Sequence, residues 1–192
     1  MPAVSAVRLL TLLVGLWVTS EVVLGVFKRS KGTEYSRRDS GSSPLLWGTI
    51  ALAVGLAMFA RRLWWAHIPG DFRLLFAVAL AIVVFGLALR WWAIVVLGRF
   101  FTADLAVQSG QMLVQAGPYK WLRHPSYTGL LLAFLGTGLS MCNWVSLVAV
   151  VVPIFAAILY RIHAEEKMLS LQFGEAYARY CKTTKRLLPG VY

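Results

Sequence analysis

The sequence predicts an all-α, polytopic membrane protein of about five transmembrane helices with a C-terminal cytoplasmic helical segment. Three observations carry that prediction. Of 192 residues, 59% are apolar and only 14% are charged, where a soluble domain carries about a quarter. Mean hydropathy is +0.69, and the apolar residues fall into five long runs. The net charge of +11, from 19 Lys and Arg against 8 Asp and Glu, is confined to the stretches between those runs. A nucleic-acid binder would instead spread it over a polar domain, whereas membrane proteins carry positive charge in their connections. These figures exclude a water-soluble enzyme and a disordered chain. The length suits a single domain, 1–192. Cys142 and Cys181 suggest no disulfide framework, and the absence of CxxC or Cys/His clusters predicts no metal site.

The runs are Leu9 to Phe27, Leu45 to Ala60, Leu74 to about Gly98, Thr128 to Cys142, and Trp144 to Tyr160. A span needs about 20 residues, with a range of about 17–25. The fourth and fifth runs reach that length only if Pro125-Ser126-Tyr127 and Arg161-Ile162 join them. Asn143 alone separates these two, which reads as a tight helical hairpin with Asn143 capping the fifth helix. The first run has no Ala-x-Ala cleavage site and is followed by a basic stretch, so it is read as a retained helix. Residues 30–43 read as a polar loop.

With five spans, fifteen of the 19 Lys and Arg fall on one side. They lie in 28–43, in 90–123 and after the fifth run. Arg8, Arg61, Arg62 and Arg73 fall on the other. The positive-inside rule places the C-terminus in the cytoplasm and the N-terminus outside, with Arg61-Arg62 the exception. Seven of the tryptophans, Trp47, Trp64, Trp65, Trp91, Trp92, Trp121 and Trp144, lie near span ends, where interfacial anchoring accounts for them.

Residues 1–109 read mainly as membrane scaffold, and the chemistry-bearing residues concentrate in 110–192. Arg123-His124-Pro125 reads as a basic segment opening a helix, since proline suits the first helical turn. Arg123 then suits snorkelling or a lipid phosphate, and His124 an interfacial position. Arg161 and Glu165 share a helix face at i, i+4, as a structural ion pair or as a site. Glu166 points to another face and reads as solvated. Glu21 lies about six residues, roughly 9 Å, inside the first span. An acid there expects a basic partner, for which Arg90 is the candidate, unless it reaches to the interface. Residues 164–186 read as one amphipathic helix or a bent pair. Leu169, Phe173, Tyr177 and Tyr180 recur at helical spacing, as packing or as a cover over a site.

The ordered set Gly117-Pro118-Tyr119, Arg123-His124-Pro125-Ser126-Tyr127-Thr128-Gly129, Asn143, Arg161, Glu165-Glu166, Phe173-Gly174-Glu175-Ala176-Tyr177, Tyr180, Arg186 and Pro189 resembles the isoprenylcysteine carboxyl methyltransferase family, which belongs to a wider group with phospholipid N-methyltransferases. The resemblance covers about 110–192. It implies a membrane enzyme using S-adenosyl-L-methionine from the cytosol, with a lipophilic, prenylcysteine-like acceptor entering from the bilayer among membrane lipids. It also implies cofactor contacts at Gln111, Leu113, Val114, Tyr119, His124, Tyr127 and Glu165, and an acceptor contact at Arg161, with Arg161 and Glu165 as the catalytic pair. Where the family has His-x-Leu-Val, this chain has Gln111-Met112-Leu113-Val114.

The residue types suit that chemistry. A carboxylate attacks an activated methyl as an anion and needs no general base. The protein must hold the partners together and shed water, which supplies about 7–11 kcal/mol. Arg161 can orient a carboxylate with its fork of donors, and Glu165 can accept from an ammonium or a ribose hydroxyl. The alternatives are an amine N-methyltransferase acting on a phospholipid, with His163 or Glu166 as base, a sterol-type reductase, or a non-enzymatic membrane subunit. Sterol reductases carry a related RHxNY element, with Asn where this chain has Ser126. Nothing points to nucleic acid.

Overall fold

The computed structural model describes residues 2–27, 42–102 and 110–188, with side chains of the first helix described from Leu12 to Leu24. The basic residues Lys28, Arg29, Lys31, Arg37 and Arg38, and Pro189 of the tail motif, lie outside the described residues, as does the side chain of Arg8. The elements are α1 (Pro2–Phe27), α2 (Ser42–Ala60), α3 (Phe72–Leu97), α4 (Pro125–Leu139), α5 (Trp144–Phe173) and α6 (Glu175–Thr183). Short 3-10 turns occupy Trp64–Ala66, Gly98–Phe100 and Gly117–Lys120. Among the described residues the only β pairing is two isolated bridges.

Among the described residues, three helical stretches, Ser42–Ala60, Phe72–Phe100 and Trp144–Phe173, are long and apolar enough to cross a membrane. Their outward faces carry Leu52, Phe59, Phe85 and Val95, all exposed, as surfaces solvated by lipid do. The fourth run behaves differently from expectation. Pro125-Ser126-Tyr127 do join it, but α4 stops at Leu139 with 15 residues. At 1.5 Å per residue that is about 22 Å, short of roughly 30 Å of hydrocarbon. Ser140, Met141 and Cys142 form the turn instead, with Cys142 at φ 50°.

Helix ends are set by specific side chains. Asp71 accepts from the Arg73 N–H at 2.8 Å to open α3. Asn143 accepts from the Ser146 N–H at 2.9 Å to open α5, as its position in the sequence predicts. It also donates to the Leu63 carbonyl at 3.0 Å, and the Ile68 N–H donates to the Cys142 carbonyl at 2.9 Å. The α2–α3 connection and the α4–α5 turn therefore close one end of the bundle. Ser42 and Ser43, expected in a loop, open α2.

Two pairings build the core. In the first, α2 packs on α5 through Ala53, Ala57, Val150, Ile154 and Ile158, with the Ser146 hydroxyl donating to the Ala57 carbonyl at 2.8 Å. In the second, α3 lies against α4 at backbone contact. A Cβ added to Gly129 would stand 2.5 Å from the Gly86 carbonyl oxygen and 2.6 Å from the Arg90 nitrogen. Small residues permit that approach in membrane bundles, and it fixes Arg90 beside Ser126. Trp17 of α1 packs its ring 4.9 Å from that of Phe134.

At 30 residues, α5 is about 45 Å long, so its last turns run past the hydrocarbon thickness. It breaks at Gly174, φ 48°, and α6 follows. The tail is thus a bent pair, and the glycine supplies the left-handed backbone that the bend requires.

Candidate active site

One cavity of about 170 Å³ lies at the bundle end opposite the α4–α5 turn, far larger than ordinary packing voids, which seldom exceed a water. Gln111, Leu113, Val114, Tyr119, His124, Tyr127, Arg161 and Glu165 all line it. They come from the 110–120 connection, the start of α4 and the late turns of α5. Residues of the first half line it too, among them Glu21, Leu46, Trp47 and Arg90. Leu169, Phe173, Tyr177 and Tyr180 reach it from the end of α5 and from α6.

Arg161 is buried at 5% exposure. Its Nε donates to the Tyr127 hydroxyl at 2.8 Å, and one terminal nitrogen donates to Ser43 at 2.8 Å and Ser42 at 3.2 Å. Tyr127 therefore joins α4 to the arginine, and α2 supplies two hydroxyls that sequence reasoning assigned to a loop. Glu165, one turn on, presents a side chain 30% exposed, 3.9 Å from Nδ1 of His124. The ring of Tyr127 is 5.7 Å from that of His124.

His124 is buried between two carboxylates, with its Nε2 3.4 Å from Glu166. Glu166 is not solvated as expected. One carboxylate oxygen accepts from Arg123 Nε at 2.9 Å, and the other lies 2.9 Å from Arg186 Nε and 2.7 Å from a terminal nitrogen. Arg123 also donates to the carbonyls of Thr184 at 2.6 Å and Cys181 at 3.2 Å. Its charge is turned inward to hold the tail, not outward to a lipid phosphate. Sequence spacing could not show this, because Arg123, Glu166 and Arg186 lie on three separate segments.

The tail is fastened along its length. The Arg123 and His124 N–H groups donate to the carbonyls of Lys185 and Arg186, and the Lys185 N–H donates to the Trp121 carbonyl. The Thr128 hydroxyl donates to the Leu187 carbonyl at 2.8 Å, and the Tyr180 hydroxyl to the Tyr119 carbonyl at 2.7 Å. Burial pushes the Tyr180 phenol up to about 12. Burial, reinforced by Glu165, raises Tyr119 further, so these phenols keep their protons.

Glu21 and Arg90 meet as the sequence predicts, and both border the cavity. His163, a candidate base in the amine reading, is exposed and does not line the cavity.

Residues 78–171 match the isoprenylcysteine carboxyl methyltransferase family. Over that segment the chain is similar to this family. Protein-S-isoprenylcysteine O-methyltransferase B of Arabidopsis thaliana is 34% identical over 114 residues, covering 58% of each chain. The Homo sapiens protein-S-isoprenylcysteine O-methyltransferase is 30% identical over 141 residues, 72% of this chain and 49% of its own. The chain thus spans about half the length of these curated relatives. A solved structure of a eukaryotic intramembrane Ras methyltransferase, an isoprenylcysteine carboxyl methyltransferase, superposes with a TM-score of 0.56 at 24% identity. It covers 78% of this chain and 51% of that one, a likeness of fold. The described residues are mainly helical, with three helices long and apolar enough to cross a membrane, in keeping with an integral membrane protein, and the family likeness implies a methyl donor.

Proposed function

We propose that the chain is an S-adenosyl-L-methionine-dependent carboxyl O-methyltransferase, which esterifies the carboxylate of a lipophilic, prenylcysteine-like acceptor. The observation that carries this reading is the placement of Arg161 and Glu165, one helical turn apart, on the wall of one cavity. A fixed cation and a carboxylate side by side suit two ligands of opposite character.

The donor set fits the methyl donor. Glu165 offers a carboxylate to an ammonium or ribose hydroxyl, Gln111 an amide, and Tyr119 and Phe173 aromatic surface. Bound there, S-adenosyl-L-methionine supplies a methyl group already activated on a sulfonium. Arg161 orients the acceptor carboxylate with donors that Tyr127 and the α2 serines hold in place. Tight pairing also lowers nucleophilicity, so Arg161 works by position, not by acid–base chemistry. Leu46, Ile50 and Leu24 give the acceptor an apolar wall, in keeping with a substrate arriving from the bilayer.

About five spans, with the site in the cytoplasm and the N-terminus outside, complete the reading. Support comes from the fifteen cations that the sequence assigns to the site's side of the membrane. The amine alternative needs a base in the cavity, but His163 is exposed and does not line it, and Glu166 is held by two arginines.

Calorimetry on the full chain in detergent, with S-adenosyl-L-methionine and S-adenosylhomocysteine, tests the proposal. Wild type should bind both, and Glu165→Ala should lose binding by roughly a hundredfold. Arg161→Ala should keep donor binding while losing methyl transfer. A folded wild type that binds neither compound would sink the methyltransferase reading.

A further inference from the structure

We infer that Tyr177 is a direct hydrogen-bonding ligand of the methyl donor, which makes α6 part of the binding site and not merely its cover. The inference rests on the function proposed above. Tyr177 is 3% exposed, and its hydroxyl, fully buried, has no hydrogen-bond partner among the described residues. Buried hydroxyls are almost always paired, and an unpaired one is costly to keep. Two other phenols of the site are satisfied. Tyr180 donates to the Tyr119 and Leu122 carbonyls, and Tyr127 accepts from Arg161.

Tyr177 also borders the cavity, together with Glu165, His124 and Phe173. Its position is held from both sides. Gly174 turns the chain into α6, and the Tyr180 bonds seat the helix one turn further on. Tyr177 is therefore held by a rigid element on the wall of the same cavity that Glu165 lines. Burial raises the Tyr177 phenol well above its usual value, so it enters any contact as a donor. Glu165, a carboxylate, is an acceptor. Together they offer complementary polarity to a ligand with an ammonium or hydroxyl donor beside a carboxylate oxygen or ring nitrogen acceptor.

The test compares wild type, Tyr177→Phe and Tyr180→Phe as full chains in detergent. Tyr177→Phe should weaken S-adenosylhomocysteine binding about three- to tenfold, with an unfolding midpoint, measured without ligand, no lower than wild type. Tyr180→Phe should lower that midpoint, because it breaks bonds that hold the fold. In the wild-type chain the ligand should also slow hydrogen exchange across Glu175–Thr183. Unchanged affinity in Tyr177→Phe overturns the inference, as does binding that leaves α6 exchange unaffected. Failure of wild type to bind overturns the proposed function instead.

Discussion

Arg90 of α3 and Glu21 of α1 stand side by side inside the bundle, a terminal guanidinium nitrogen 2.6 Å from one carboxylate oxygen and Nε on the other. The Trp17 indole N–H donates to the same carboxylate at 3.0 Å, and Arg90 reaches the Ser126 hydroxyl at 2.8 Å. Both side chains are 10% exposed or less. Removing one partner strands the other charge, so Glu21→Leu alone should cost about 3–5 kcal/mol. The double variant Glu21→Leu/Arg90→Leu should recover most of that loss in denaturant titrations in detergent. Equal destabilisation of single and double variants would show that the pair does not act as a unit.

Glu166 gathers Arg123 and His124 from the segment before α4 and Arg186 from the tail. Glu166→Gln keeps the shape and removes the charge that binds them. A loss of about 3 kcal/mol is expected, with faster proteolysis of the tail after α6. Glu175→Gln is the comparison. Its pair with Arg179 is open to solvent, at 95% and 71% exposure, and exposed pairs contribute little. Equal midpoint shifts in the two variants would refute the central role of Glu166.

The contact between α3 and α4 should be intolerant of a single methyl. Gly129→Ala would set its Cβ against backbone atoms of α3, which move only if the helices part. About 1–3 kcal/mol of destabilisation is expected. Gly55→Ala meets open space on α2 and should be neutral or stabilising by up to about 1 kcal/mol. Thermal midpoints in one detergent decide between these outcomes.

Alkaline pH should loosen the tail. The native state raises the Tyr180 pKa from its usual 10.0 to about 12, chiefly by burial. Between those values the folded chain holds a proton that the unfolded chain has released. Stability from this group is complete below about pH 10 and falls as pH rises through about 12. Tyr180→Phe should be less stable at neutral pH, with a shallower decline above pH 10. A wild-type stability that stays flat from pH 10 to 12 would contradict the burial argument.

Much of this was legible in the residues. Run length and the Asn143 cap predict α5, and the demand of a buried acid for a partner predicts Arg90 opposite Glu21. The motif residues in 111–165 meet at one cavity because they lie on three segments that converge at one bundle end. Other features were hidden for definite reasons. Met141 and Cys142 are apolar, so hydropathy carried the fourth run past Leu139. Ser42 and Ser43 have loop composition, yet their hydroxyls face Arg161. Helical spacing describes neighbours within α5 but not Arg123 or Arg186, 43 and 20 positions from Glu166.

The fastening of the tail also orders events in time. Thr128 receives its partner Leu187 from 59 positions downstream. At roughly 5–20 residues per second, that separation lasts about 3–12 s during translation. A nascent chain can therefore place its long apolar helices in the bilayer while one wall of the cavity is still being made. A ribosome stalled before residue 184 would leave an inserted protein without a closed site, and competence would arrive only with the last turn of α6 and the segment through Leu187 that Arg123, His124 and Thr128 fasten.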